Sequence, residues 1–222
     1  MMFIMAVAPK TKPPTAYVYV DGFNLYYGAL LARKDSFSRK WLNLESLADK
    51  LLKPKSFNVV KIKYFTAEVL LNHDPQKIQR QQYYWRALAT LPRVERINGK
   101  FLLKRVNVPI TKDVSLRGKV PEEKGTDVNL ATHLVNDAHL GKFDVAAIIS
   151  NDSDLAEAIR VVTKEIGLPV ITINPCNENL PSAHLAKFSS GKKEVRDGQI
   201  TSSQFPVNLT DGQGTFTKPK RW

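Results

Sequence analysis

The chain has 222 residues, 43% of them hydrophobic, and a formal charge of +12 at pH 7. That is enough apolar material for one substantial core, and the charge favours a polyanionic partner, with nucleic acid ahead of an anionic membrane surface. Its single cysteine, Cys176, excludes an internal disulfide framework and a Cys-rich zinc site.

The opening MMFIMAVAPKTKPP has an apolar run that is short for a signal peptide and lacks a basic region before it. No other stretch is long enough to span a bilayer, so the expected location is cytoplasmic. Residues 1–15 read as an N-terminal extension. TAYVYVDGFNLYYGAL then starts as a strand, Tyr17 to Val20, breaks at Asp21 and Gly22, and turns amphipathic through Leu25, Leu30 and Leu31. NLESLADKLL is a short helix capped by Asn43 and closed by Pro54, and NVVKIKYFTAEV is a second strand.

DPQKIQRQQYYWRALATL predicts a helix with Pro75 in its first turn. Ile78, Leu88 and Leu91 face inward, while Lys77, Arg80 and Arg86 lie on the other face. RVERINGKFLLKRV alternates like a strand or hairpin, and residues 105–124 read as an irregular basic segment. GTDVNLATHLVNDAHLG is a third major helix stopped by Gly141. Val145 to Ile149, apolar on both faces, is a buried parallel strand. It runs into Asn151, Asp152 and Asp154 before the helix LAEAIRVV, and LPVITINP is a further strand. From Phe188 onward Gly, Ser, Lys and Thr dominate, so residues 189–222 read as a loosely structured basic tail, with ITSSQFPVNL and Trp222 apolar enough to dock on the body.

Strands alternating with helices imply an α/β fold with a mainly parallel sheet. Ligands of such sheets collect beyond the carboxyl ends of the strands. Asp154 is placed to cap the helix that follows it, with Glu157 three residues on, and from that loop alone capping and chemistry stand level. Asp21, however, ends its strand as Asp152 follows its own, and Asp127 lies at a helix start. Three separate acids at strand ends or helix starts are harder to assign to capping than one.

YVDGFNLYY, KGTDVNLATHLVNDA and FDVAAIISNDSDLAEAIRVV, followed by GLPVITINP, together resemble the NYN domain, a PIN-like branch of metal-dependent ribonucleases, here of the LabA-like group. The resemblance spans roughly residues 16 to 175, and the three motifs in this order are more specific than any single DxD. It implies a PIN-like (Rossmannoid) three-layer α/β sandwich over residues 16–188. The family's acidic pocket maps onto Asp21, Asp127, Asp152 and Asp154, with Asn24 beside them as a polar partner. Mg²⁺ or Mn²⁺, which prefer carboxylate and water oxygens, would suit such a cup.

Other groups read more plainly. His73, His133, His139 and His184 are scattered; His133 and His139 are six residues apart on one helix, a spacing unsuited to metal ligation. Cys176 is a small packing residue. Tyr26, Tyr27, Tyr83, Tyr84 and Trp85 are mostly packing residues, one or two of which could stack on bases. Lys100, Lys104, Arg105, Lys112, Arg117, Lys119 and Lys124 lead into Asp127. As a group, and in particular Lys112, Arg117, Lys119 and Lys124, they form an RNA rail that would bind phosphate by counterion release.

The reading is a divalent-metal-dependent endoribonuclease with Asp21, Asp127, Asp152 and Asn24 in the catalytic pocket. RNA is the partner, no membrane is involved, and a homodimer is allowed for. One rival is a catalytically weak RNA-binding or regulatory protein of the same fold. Another is a phosphatase or phosphotransferase, which needs a second acid two residues after the first; DGFN lacks it.

Overall fold

The computed structural model describes residues 12–31, 39–69, 75–109, 115–175 and 180–220, with 75, 107–109, 115–117 and 119–123 described by their backbone alone. β1 (Thr15–Asp21), β2 (Asn58–Thr66), β3 (Val94–Asn98), β6 (Val145–Ile149), β7 (Val170–Asn174) and β8 (Gly191–Glu194) form a six-stranded sheet in the order β3-β2-β1-β6-β7-β8. Every pairing in it is parallel, with Val20 beside Ile149 and Asp21 beside Phe65. Between β3 and β6 the chain forms a separate antiparallel pair, β4 (Lys100–Pro109) and β5 (Ser115–Lys124).

Alternation along β1 divides the core. Ala16, Val18 and Val20 face one layer, in which α1 (Gly22–Leu25) and its π-helical continuation Tyr26–Leu31, α2 (Leu44–Leu52) and α3 (Pro75–Ala89) supply Leu25, Leu30, Leu47, Leu51, Tyr84 and Leu88. Tyr17 and Tyr19 face the other. That layer holds α4 (Thr126–His139), α5 (Ala156–Arg160) with the π-helical Val161–Ile166, and α6 (Ala183–Phe188), and it buries Leu130, Leu134, Leu155, Ile159, Val162 and Leu185. The result is the helix–sheet–helix sandwich that the PIN-like resemblance implies.

Two segments differ from the sequence expectation. Residues 105–109 and 115–124, read as part of an irregular stretch, are regular strand and form most of the β4–β5 ribbon. Residues 189–220, read as part of a loosely structured tail, are built into the body. β8 closes the sheet edge, α7 (Asp197–Thr201) follows, and β9 (Asn208–Asp211) pairs with β10 (Gly214–Thr217). Ile200, Phe205 and Phe216 are buried in the first layer, where Trp41 Nε1 donates to the Pro206 carbonyl at 2.9 Å. Arg86 holds Asp211 through two 2.7 Å hydrogen bonds and packs 4.2 Å over Phe216. Each large apolar side chain buried this way contributes about 1.5–3 kcal/mol, more than the polar composition of the segment suggests.

One buried polar cluster crosses the second layer. Lys63 on β2 pairs with Asp137 of α4, which also accepts hydrogen bonds from the Tyr19 hydroxyl at 2.8 Å and Lys142 at 3.0 Å. His133 places Nδ1 3.0 Å from the Lys63 Nζ and rests against Phe65, a structural position; His139 is exposed. His73, Cys176 and Trp222 lie outside the described residues. Among the described residues no helix is long and apolar enough to cross a membrane.

Candidate functional site

β1 leads into helices on one face of the sheet and β6 into helices on the other, although the two strands are neighbours. Beyond their carboxyl ends the crossovers part and leave a crevice, the place where open α/β sheets bind ligands. Asp21 closes β1 and Asp152 follows β6 at this crevice. α4 starts there as well, bringing Asp127 into its first turn. Asp21, Asp127 and Asp152 line one open cup of about 320 Å³ together with Asn24, Phe23, Tyr27, Phe101 and Thr126.

The strand pleat determines how Asp21 enters this cup. It has the parity of Tyr17 and Tyr19, so it faces the α4 layer, and only 3% of it is exposed. Its Oδ1 accepts the Asn24 backbone N–H at 2.9 Å, and its Oδ2 accepts both Asn24 Nδ2 and Ser150 Oγ at 2.9 Å. Burial pushes the Asp21 carboxyl above its ordinary range. The hydrogen bonds from Asn24 and Ser150 work against that rise, and the neighbouring Asp152 charge adds to it. A buried carboxylate facing a second carboxylate is an environment that a cation relieves.

Asn24 is fixed from two sides. Besides its bonds to Asp21, its Oδ1 accepts the Asn151 N–H at 3.2 Å, tying the loop after β1 to the loop after β6. Gly22 makes the sharp turn possible, because a Cβ there would sit 2.5 Å from the Phe65 carbonyl oxygen and 2.9 Å from the Tyr64 ring.

Capping falls on a different acid from the one expected. Asp152, not Asp154, is the cap: its Oδ1 accepts the Asp154 N–H at 3.0 Å and opens the 3₁₀ turn Ser153–Leu155. This short turn moves the helix start beyond Asp154, which is exposed and does not line the cup. Asp152 therefore combines a cap with a cup-facing position. The cup brings together Asp21, Asn24, Asp127 and Asp152 and leaves Asp154 outside. Among the described residues no three His, Cys, Asp or Glu side chains form a ready-made cluster for a metal ion. The chemistry of the donors, three carboxylates facing one cup, nonetheless fits a hard divalent cation.

Sequence reasoning did not assign Ser150, which holds Asp21, or Phe23 and Phe101 of the aromatic rim, while Tyr27, the third rim residue, is among the aromatics read as able to stack on bases. Phe23 meets Phe101 edge-on at a centroid distance of 5.9 Å, linking the foot of the β4–β5 ribbon to the cup. The ribbon runs from this rim with Lys100, Lys104, Arg105 and Lys124 exposed. Its register sets Lys100 opposite Lys124 and Arg105 opposite Lys119, so basic positions recur along the ribbon. Lys112 lies outside the described residues, as do the side chains of Arg117 and Lys119. A second basic groove, invisible in the sequence because its residues are far apart in the chain, is lined by Lys50, Lys53, Lys192, Lys193 and Arg196.

The profile of the NYN domain family matches residues 15–189. The chain is 28% identical to 6-hydroxy-3-succinoylpyridine 3-monooxygenase HspA of Pseudomonas putida (strain DSM 28022 / S16), over 96% of this chain and 76% of that protein. A crystal structure of a protein of unknown function from Vibrio parahaemolyticus RIMD 2210633 superposes with a TM-score of 0.56 at 15% identity, covering 86% of this chain and 98% of the other. That likeness concerns the fold alone.

Proposed function

Because the chain belongs to the NYN domain family, a PIN-like nuclease family, we propose that it is a divalent-metal-dependent endoribonuclease that hydrolyses RNA phosphodiester bonds at the acidic cup. The observation that carries this reading is the convergence of Asp21, Asp127 and Asp152, from three separate elements, at the crevice between β1 and β6. Mg²⁺ or Mn²⁺ held by these three residues would supply positive charge for the phosphate oxygens and lower the pKa of a water nucleophile.

The chain's own groups supply orientation. Ser150 and Asn24 hold both oxygens of Asp21, so its carboxylate enters the cup in one position. Asn24 is thus a positioning residue: its side chain bonds to Asp21 and to the Asn151 backbone. Asp152 is oriented by its cap on the Asp154 N–H, and Asp127 by the first turn of α4. The basic ribbon beside the cup would draw the RNA backbone in without reading its sequence.

A second reading is favoured by the Pseudomonas relative, whose name describes oxygenation of a substituted hydroxypyridine. Purified protein incubated with single-stranded RNA in Mg²⁺, Mn²⁺ or EDTA, and separately with 6-hydroxy-3-succinoylpyridine, dioxygen and a two-electron reductant such as a reduced nicotinamide, decides between them. Metal-dependent RNA fragments support the nuclease. Turnover of the pyridine without RNA cleavage replaces it, and RNA binding without cleavage in any metal leaves a regulatory RNA-binding protein.

A further inference from the structure

Next to the acidic cup lies a cavity of about 190 Å³ that the proposed hydrolysis does not use. Tyr26, Tyr64, Tyr84 and Trp85 contribute aromatic walls, and Leu25 and Leu30 apolar ones. Its cations are Lys40, Lys77 and Arg80, and Lys40 sits 5.2 Å from the centre of the Tyr26 ring. Phe23 and Tyr27 line both this cavity and the cup, so the two share a wall. Tyr27 is 58% exposed and meets Tyr26 edge-on at a centroid distance of 5.3 Å.

The cavity is too small for the drug-sized ligands that fill pockets of roughly 300–1,000 Å³, and its volume suits one planar ring system. Aromatic walls attract the faces of such a ring, and nearby cations attract an anionic group attached to it. A nucleobase carrying its phosphate has both features. Since the cavity and the cup share Phe23 and Tyr27, a base in the first lies beside a phosphate in the second.

We propose that this cavity is the subsite for an unstacked base of single-stranded RNA, one that flanks the phosphodiester bond cut in the cup. The assignment rests on the nuclease reading for its position and on the cavity itself for its ligand chemistry. It sets substrate class: a base can enter only after leaving its stack, so unpaired RNA is bound in preference to duplex. It leaves base identity weakly specified, because every base has a π-face.

The test is equilibrium binding of fluorescently labelled trinucleotides in EDTA, where cleavage is absent, with the bases removed one at a time. Wild-type protein should bind the fully based trinucleotide about tenfold more tightly than the version lacking one particular base, the size expected for loss of one stacking platform. Tyr27→Ala, at an exposed position, and Lys77→Glu, at another, should each reduce that discrimination several-fold while leaving the melting temperature unchanged. Equal affinity for all the abasic versions overturns the proposal, as does full discrimination retained in both variants. Displacement of the trinucleotide by nicotinate but not by a mononucleotide also overturns it, and assigns the cavity to a free aromatic carboxylate. If base discrimination is present but no metal supports cleavage, the subsite stands and the nuclease reading fails.

Discussion

Gly22 has room for no side chain. A methyl group there meets the Phe65 carbonyl oxygen at 2.5 Å, a backbone atom fixed by its place in the sheet, and the Tyr64 ring at 2.9 Å. Gly22→Ala should therefore destabilise the protein by about 2 kcal/mol in urea denaturation, as overpacking does, and displace Asp21 as well. Unchanged stability would mean that the turn yields freely and does not hold the acid in place. At this scale the acids were legible in the sequence because each ends a strand or opens a helix. The exchange of capping from Asp154 to Asp152 was not, since it depends on whether the first turn is 3₁₀ or α, a difference of one or two residues. Ser150 was invisible for another reason: nothing in AAIIS distinguishes a hydroxyl that bonds an acid 129 residues away from one that merely ends a strand.

Among the elements, α4 is anchored to the sheet by a buried charge pair. Burial pushes the Asp137 carboxyl up, but hydrogen bonds from Lys63, Lys142 and Tyr19 and the Lys63 charge outweigh it, and the group lies below its ordinary value. An acid depressed in the folded state adds stability above its unfolded pKa of about 4, and that contribution is lost as pH falls through the lower folded value. Asp137→Asn leaves Lys63 buried without its counter-charge and should cost about 3–5 kcal/mol near neutral pH. The gap between variant and wild type should narrow below about pH 4 in a series of denaturation curves. A gap independent of pH would show that packing, not charge, is what the substitution removes. In the sequence Lys63 is only a polar residue within a strand; its partner is 74 positions away and cannot be found by periodicity.

Among the described residues the β4–β5 ribbon pairs only with itself, and it exposes Leu102 and Leu103 at 56% and 54%. A two-stranded ribbon is marginal alone, and this one is rich in basic positions. Neutralising Lys112, Arg117 and Lys119 together should lower the slope of log affinity for single-stranded RNA against log salt by about 2, near 0.7 for each phosphate no longer neutralised. An unchanged slope would move the RNA path to the groove of Lys50, Lys192 and Lys193. The ribbon was hard to read because Gly118 and Pro121 break the strand pattern in the sequence of β5, and its regularity comes from pairing between the two strands rather than from local propensity.

For the whole molecule, strand and helix order led correctly to a parallel α/β sheet, since a strand apolar on both faces has few other places to lie. The C-terminal segment was underestimated for a physical reason. Its buried anchors, Ile200, Phe205 and Phe216, are spaced singly among polar residues and acquire their meaning only from Trp41, Tyr83 and Arg86 on the body. The same tertiary assembly brings Asp21, Asp127 and Asp152 to one crevice although 131 positions separate the first from the last. The central claim is that this convergence serves RNA hydrolysis. The most direct measurement is the rate of single-stranded RNA cleavage by wild type, Asp21→Asn and Asp152→Asn in Mn²⁺, with EDTA controls and a melting curve for each protein. Asn at 152 keeps the cap acceptor and removes only the charge, so fold and function separate at that position. Metal-dependent cleavage by wild type, lost by about a hundredfold or more in both folded variants, is the predicted result. Cleavage that persists in EDTA, or that survives both substitutions at the wild-type rate, would contradict it.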